Sequence, residues 1–296
     1  MRIAVTGGAG FIGQHLTAAL LAAGHDVAVL DTGRSRGGAP PALGGATLVR
    51  GDIREPAVCR DAFAGCDAVV HLAAQSTVMG SQQDPEACFA TNVLGSWNVI
   101  EAARAAGARH VVFASSREVY GEPAALPVRE DAPLAAKNAY GASKIAGEAL
   151  LAARADADIG VSLLRLANVI GPGDRGRVVP AWLAAARANE PLTLYGGEQQ
   201  MDFVPMDTVV ACFLRALERG PLDGPVNVGS GRTTTLHELA RRIVAAFAST
   251  STVTVHPPRG PEVTRYCTDV TRMRTVLGVE PPADPLARLT EYGGAP

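Results

Sequence analysis

The chain has no cationic stripe. Its 27 basic and 29 acidic residues nearly balance, at a formal net charge of −2, and no Lys/Arg cluster offers the footprint that a nucleic-acid or polybasic-membrane partner requires. Specificity must then come from a pocket. Cysteine is sparse as well: Cys59, Cys66, Cys88, Cys212 and Cys267 are scattered, without CxxC spacing or a nearby histidine set. That pattern argues against a disulfide framework and against zinc, so no metal is expected. No apolar run approaches the length of a membrane span, and no repeat or low-complexity tract is present. The start runs from Met1 straight into a strand-like Arg2-Ile3-Ala4-Val5, too short for a secretory apolar region. A reducing cytoplasm is the expected location, with no membrane and no nucleic-acid partner.

What is present is ample apolar material, 47% of the residues, enough for a substantial core. Short β-branched runs alternate with Ala/Leu-rich helical runs, the pattern of a parallel sheet wrapped by crossover helices. Strands are predicted at 2–6, 27–31, 46–50, 67–72, 109–115 and 160–166, and helices at 11–23, 54–63, 85–106 and 137–155. The third of these helices opens after Asp84-Pro85 and closes near Gly107. Strands that are apolar on both faces require a sheet covered on both sides. Beyond Gly171-Pro172-Gly173 the order loosens, with strand-like pieces at 192–195, 226–228 and 252–255 and helices near 178–188, 207–218 and 235–247. Arg34 to Gly45, rich in Gly and Pro, reads as a mobile loop. The expected fold class is α/β: a doubly wound parallel sheet at 1–170, with a smaller C-terminal substrate lobe mainly at 171–296. Segments near 202–228 are expected to return to the first unit.

Thr6-Gly7-Gly8-Ala9-Gly10-Phe11-Ile12-Gly13 lies between the first strand and the first helix. Glycines at this junction allow backbone N–H groups to approach a pyrophosphate held at the helix N-terminus, as in the Rossmann fold. Alone such a motif is weak, because glycines also make plain turns; here strand, turn and helix come in the required order. Asp31 ends the second strand, where a carboxylate accepts the adenosine ribose hydroxyls and repels a 2′-phosphate. Arg34 and Arg36 argue the other way, since arginine pairs with that phosphate; NAD is expected over NADP. Asp52-Ile53 leaves the third strand and Leu72-Ala73-Ala74 the fourth, both at the edge where ligands of open α/β sheets sit. Asp52 also reads as a helix N-cap for 54–63.

Tyr140-Gly141-Ala142-Ser143-Lys144 places a phenol and an ammonium one helical turn apart on the same face. A free tyrosine has a pKa of about 10. A neighbouring cation and the positive nicotinamide ring favour the phenolate, and a phenolate within reach of a substrate hydroxyl is a general base. The same pair also occurs on ordinary solvated helices. Its context separates the two readings, because Ser115-Ser116-Arg117-Glu118-Val119-Tyr120-Gly121 closes the fifth strand at the ligand-binding edge. Hydroxyls there either donate to a substrate oxygen or cap their own turn.

The ordered motifs TGGAGFIG, GDIR, HLAA, Asn92-Val93-Leu94-Gly95, SSREVYG, YGASK and Arg165-Leu166-Ala167-Asn168-Val169-Ile170-Gly171-Pro172-Gly173 resemble the extended short-chain dehydrogenase/reductases. Within that group they resemble the nucleotide-sugar epimerases and dehydratases, from residue 1 to about 290. The resemblance implies catalysis by Ser116, Tyr140 and Lys144, with Glu118 at the acid/base position of the related lyases. It implies an NAD site of Gly7, Gly10, Phe11, Ile12, Asp31, Asp52, Ile53, Leu72, Ala73, Ala74, Asn92, Tyr140 and Lys144. For a nucleotide-diphosphate sugar it implies Val78, Ser116, Arg117, Asn168, Val179, Tyr195, Arg259 and Glu262, and it implies a homodimer through helices near 86–106 and 137–155.

Two departures matter. Dehydratases of the group carry an acidic pair before Val-Tyr-Gly, and here the first member is Arg117. The family's Arg-Asp-Phe, whose arginine pairs with the diphosphate, is Met201-Asp202-Phe203. Losing that charge-assisted contact costs about 1.5–3 kcal/mol unless another cation substitutes, and Arg175, Arg177 and Arg259 are the candidates. The resemblance thus points first to a 4-epimerase acting through a transient 4-keto sugar. A dehydratase or uronate decarboxylase using the same first oxidation is the alternative. A non-catalytic dinucleotide sensor would have no need of the tuned phenol.

Overall fold

The computed structural model describes residues 1–33, 43–175, 177–258 and 263–292. Most of the loop expected at Arg34–Gly45 therefore lies outside the described residues. Twelve strands are present there: β1 Arg2–Thr6, β2 Asp26–Asp31, β3 Thr47–Arg50, β4 Ala68–His71, β5 His110–Ser116, β6 Gly160–Leu166, β7 Asn168–Ile170, β8 Leu192–Tyr195, β9 Gln200–Pro205, β10 Val226–Val228, β11 Thr233–Thr235 and β12 Val253–His256. The α-helices are α1 Phe11–Ala22, α2 Pro56–Phe63, α3 Val78–Gln83, α4 Pro85–Phe89, α5 Gly95–Ala105, α6 Ala139–Arg154, α7 Val178–Ala188, α8 Met206–Arg219, α9 Leu236–Ala246 and α10 Leu289–Tyr292.

Seven strands form one parallel sheet in the order β10-β6-β5-β4-β1-β2-β3. The chain runs outward from β1 to β3 and then returns to β4 on the other side of β1. That reversal opens a crevice at the C-terminal ends of β1 and β4, where open α/β sheets take their ligands. Side chains alternate across the sheet with the period of two expected of strands. Ile3, Val5, Val27 and Val29 face a core layer with Leu16 and Leu20 of α1 and Val209 and Phe213 of α8. Ala4, Ala28, Leu30 and Val69 face the other layer, with Phe63 of α2, Val99 and Ile100 of α5 and Leu151 of α6. A third core, around Trp182, Leu183, Leu192, Phe203 and Leu239, builds the later lobe.

The segment expected near 202–228 divides between the two. β9 pairs with β7 and β11 in a separate three-stranded sheet, while α8 packs beside α1 and β10 extends the large sheet at its β6 edge. The helix expected at 85–106 is interrupted: Ala90–Leu94 forms a π turn between α4 and α5. The helix expected from 54 starts at Pro56, with Glu55 at its N-cap. Asp52 is thus no helix cap; its carboxylate takes the backbone N–H of Arg54 at 2.9 Å and the Arg54 guanidinium at 2.7 Å.

Candidate active site

The glycine-rich turn follows from steric need. Gly7 has φ +70°, and a Cβ there would stand 2.8 Å from the Ala73 backbone nitrogen, so only glycine lets the β1 and β4 ends meet. A Cβ on Gly13 would stand 2.2 Å from the Gly7 carbonyl oxygen, which fixes how closely α1 approaches the turn. Gly10 caps α1 without a side-chain hydrogen bond, and the first turn of that helix carries no acidic residue. The positive helix end is therefore left for an external anion. Asp31 is held beside this turn, its Oδ2 accepting from Ala9 N at 3.0 Å and its Oδ1 from Gly33 N at 2.8 Å.

Beneath the turn lies a buried relay that the sequence reading passed over. Ser96 Oγ donates to the Asn92 carbonyl at 2.6 Å, so it must accept from His71 Nε2 at 2.9 Å. The bare Nδ1 then accepts from the Thr6 hydroxyl at 2.7 Å, and Thr6 Oγ1 accepts from Ala73 N at 3.2 Å. Burial holds the imidazole neutral, pulling it down to about 3 with the Lys144 charge acting in the same direction. The result is a rigid, uncharged tie between the β1 and β4 ends. Its sequence signal was His71 in a strand otherwise made of apolar residues.

A cavity of about 1610 Å³ runs from this turn across the sheet end into the later lobe. Ligand pockets usually enclose about 300–1,000 Å³, so this one has room for a dinucleotide and a second nucleotide-sized molecule. Gly7, Gly10, Phe11, Ile12, Asp31, Asp52, Ile53, Leu72, Ala73 and Ala74 line one half. Val78, Ser116, Arg117, Glu118, Tyr140, Lys144, Asn168, Val179 and Tyr195 line the rest. Arg259 and Glu262 lie outside the described residues, as do Arg34 and Arg36. Asn92 is brought to a different place. It is 1% exposed in the π turn, behind the cavity wall. Its amide accepts from Gln75 N at 2.8 Å and donates to Ser143 Oγ at 2.9 Å, which ties the β4–α3 loop to α6. Trp182, Thr193 and Phe203 also line the cavity and were missed; Trp182 stands one helical turn beyond Val179, a spacing that could have found it.

α6 begins where Asn138 Oδ1 accepts from Gly141 N at 2.8 Å, which sets Tyr140 and Lys144 on the face toward β5. Lys144 is 2% exposed and donates to the Ala114 carbonyl at 2.8 Å. Burial pulls its ammonium down to about 8, against the opposing pull of Glu148. The Ser116 hydroxyl accepts from Glu118 N at 3.2 Å, capping its own turn, and lies near enough to the Tyr140 phenol to favour its charged form. The expected fall in the phenol's pKa is not what the protein alone produces. Burial pushes Tyr140 up to about 12, Ser116 and Arg177 pull the other way, and Lys144 Nζ lies over the ring, 5.9 Å from its centre.

Glu118 stands beside this set with both oxygens occupied. Arg117 Nη2 reaches Oε1 at 2.9 Å, Asn138 Nδ2 donates to Oε2 at 2.7 Å, and both members of the ion pair are less than a tenth exposed. Arg117 also donates from Nε to Asn168 Oδ1 at 3.3 Å. In the substrate half, Arg177 lies over the Phe11 ring and 3.6 Å from Asp174, and Arg175 lines the same wall. Met201 packs into the third core, its sulfur 3.9 Å from Asn168 Nδ2.

A parallel sheet with a glycine turn at its switch point, and a Ser/Tyr/Lys set across the same crevice, form the arrangement that dinucleotide-dependent redox chemistry requires. The chain belongs to the NAD dependent epimerase/dehydratase family, whose profile matches residues 3–229, and NAD is its cofactor. It is 36% identical to the UDP-glucose 4-epimerase of Mycolicibacterium smegmatis, over 99% of this chain and 98% of that one. The crystal structure of the UDP-glucose 4-epimerase of Thermus thermophilus in complex with NAD matches with a TM-score of 0.90 at 31% identity, covering 99% of this chain and 98% of that chain. UDP-glucuronic acid decarboxylase 2 of Arabidopsis thaliana is 31% identical over 95% of this chain and 65% of its own length.

Proposed function

We propose that this enzyme interconverts the C4 epimers of a nucleotide-diphosphate sugar, with UDP-glucose and UDP-galactose as the first pair to test. The observation that carries this reading is the state of Glu118. A lyase needs a second acid/base beside the phenol, and here that carboxylate is neutralised by Arg117 and engaged by Asn138. What remains is the minimum that epimerisation needs: one phenol, one hydroxyl and one cation.

NAD, when bound, supplies the acceptor and donor of hydride. Gly10 and the uncapped α1 end would hold its pyrophosphate, and Asp31 its adenosine ribose. Tyr140 takes the 4-hydroxyl proton and later returns it, Ser116 donates a hydrogen bond to the same oxygen, and Lys144 favours the charged phenol. The 4-keto sugar turns over between the two steps. Arg175 and Arg177 supply the cations for the diphosphate that Met201 does not. We assign the cofactor to the 1–170 unit and the sugar nucleotide mainly to the 171–296 lobe. A homodimer through α4, α5 and α6 is supported by Phe89, Leu94 and Trp97, which are 40%, 63% and 41% exposed. Five free cysteines suit a reducing cytoplasm.

The test is incubation with UDP-galactose and NAD, with products separated by chromatography and weighed by mass spectrometry. A product of unchanged mass that co-elutes with UDP-glucose supports the reading. Loss of water or carbon dioxide from any sugar nucleotide in a wider panel, with no epimer formed, overturns it.

A further inference from the structure

Tyr140, Lys144 and Glu148 recur every four residues along α6, so one helix face carries a phenol, an ammonium and a carboxylate in series. Three consecutive residues of β5 receive them. The Ala114 carbonyl accepts from Lys144, the Ser115 hydroxyl donates to Glu148 Oε1, and Ser116 lies near enough to the Tyr140 phenol to favour its charged form. Two of these contacts belong to the proposed chemistry. The third, at Glu148, does not.

Glu148 is 4% exposed and forked against Arg165, which lies beside Ser115 in the sheet register on β6. Arg165 Nη2 donates to Oε2 at 2.7 Å and Nε to Oε1 at 2.9 Å. Arg165 Nη1 continues to the Tyr120 hydroxyl at 2.8 Å, which donates to Asn227 Oδ1 of β10 at 2.6 Å. The carboxylate is thus anchored across three strands. A buried ion pair of this kind is weak grounds for stability, since apolar residues of similar size often do as well. Its placement one turn beyond Lys144 gives it another use. The titratable groups facing Lys144 are Tyr140 and Glu148 on α6, Cys88 on α4 and His71 on β4; His71 stays neutral. Burial works against the lysine's charge, and among these groups Glu148 opposes it most strongly.

We propose that Glu148 is a positioning residue for Lys144: its anchored carboxylate keeps the buried ammonium charged and holds α6 in the register that sets Tyr140 against Ser116. The inference rests on Tyr140 and Lys144 forming the redox site but not on which sugar is turned over.

The chain contains two lysines, Lys137 and Lys144, and Lys137 is exposed. Protein labelled with carbon-13 at the lysine ε position therefore gives two resonances, and the NAD-saturated enzyme can be titrated without substrate. Lys144 is expected to titrate well below the ordinary lysine range, at about 8. In Glu148→Gln its midpoint is expected to fall further, by about a unit or more. The alkaline limb of the turnover profile should move with it. Glu148→Met/Arg165→Met leaves no lone buried charge and is expected to fold with a smaller fall in midpoint, because the Arg165 cation leaves with the carboxylate. Ser115→Ala keeps both charges and should keep the wild-type midpoint. An unchanged Lys144 midpoint in the Glu148 variants overturns the proposal, as does an equal fall in Ser115→Ala, which would assign the effect to packing. Failure of the 4-epimerase reading would instead appear as absent epimer with these Lys144 titrations intact.

Discussion

Replacing Glu118 by glutamine separates the two reactions this family runs. The side chain keeps its shape but loses its charge and one acceptor. In the wild-type protein Oε1 takes Arg117 Nη2 at 2.9 Å and Oε2 takes Asn138 Nδ2 at 2.7 Å. The glutamine amide can offer its oxygen to one of these donors, and its NH2 then faces the other. The Arg117 guanidinium, 9% exposed, is left without a counter-charge, and breaking a buried pair from one side costs about 3–5 kcal/mol. With an unfolding entropy of about 2.1 cal/mol/K per residue, that loss lowers Tm by about 5–8 °C in a chain of this length. Catalysis should be spared by comparison. If Glu118 only holds Arg117 and the α6 cap, turnover per folded molecule falls less than about tenfold, since no positioned acid or base is removed, and no NADH builds up. The assay is a thermal melt beside a turnover trace followed at the NADH absorbance. A wild-type Tm would refute the ion-pair reasoning. NADH accumulating in a well-folded variant would make Glu118 the acid/base of a second step and overturn the epimerase reading.

Tyr140→Phe should leave folding and NAD binding nearly intact while turnover falls by about a hundredfold or more; wild-type turnover would refute the redox mechanism. NAD should raise Tm more than NADP does, and Asp31→Ala should narrow that gap, whereas equal stabilisation of the wild type by both would reassign the ribose site. Met201→Arg should lower the Tm of ligand-free protein, because it sets a second cation beside the Asn168 that Arg117 already contacts. UDP should then stabilise the variant more than the wild type, and an equal shift in both would place the diphosphate away from this position.

The parts of the fold governed by short-range pattern were legible. β-branched runs bounded by turns located the six N-terminal strands to within a residue or two, and the Gly7–Gly13 spacing located the switch point. What depended on partners distant in the chain was not legible. Asn92 belongs to a family motif, yet the π turn points its amide at Gln75 and Ser143 rather than into the cavity. Asp52 read as a helix cap because a carboxylate before an apolar run has that use, and Pro56 moved the helix start beyond its reach. The Tyr140 phenol was expected to fall because a lysine stands at i+4. The spacing was right, but the expectation also counted on the nicotinamide charge, and in the protein alone burial, which no local pattern reports, dominates the phenol. Arg165 and Glu148 are 17 residues apart, and nothing in either segment announces that β6 and α6 bring them together.

Two buried ion pairs lie beside the Tyr140–Lys144 pair of α6, and they differ in what they leave available. Arg117–Glu118 closes beside Ser116 and engages both oxygens of its carboxylate, whose charge still raises the Tyr140 phenol. Glu148–Arg165 lies deeper and leaves its field acting on Lys144. A 4-epimerase needs that asymmetry, because one phenol must serve both faces of the ketone while no second base competes for the acidic proton next to the carbonyl. The sugar also has to turn while its nucleotide stays held. The cavity provides for this with groups of different kind at its two ends. Ser116, Tyr140 and Lys144 converge from β5 and α6 on one point, while Trp182, Thr193, Tyr195, Arg175 and Arg177 gather in the later lobe. Val78, Leu166 and Ala167 also line the cavity and contribute no polar side-chain atom. Apolar side chains beside the sugar leave no hydrogen bond unmade when its ring rotates, which favours returning hydride to the opposite face.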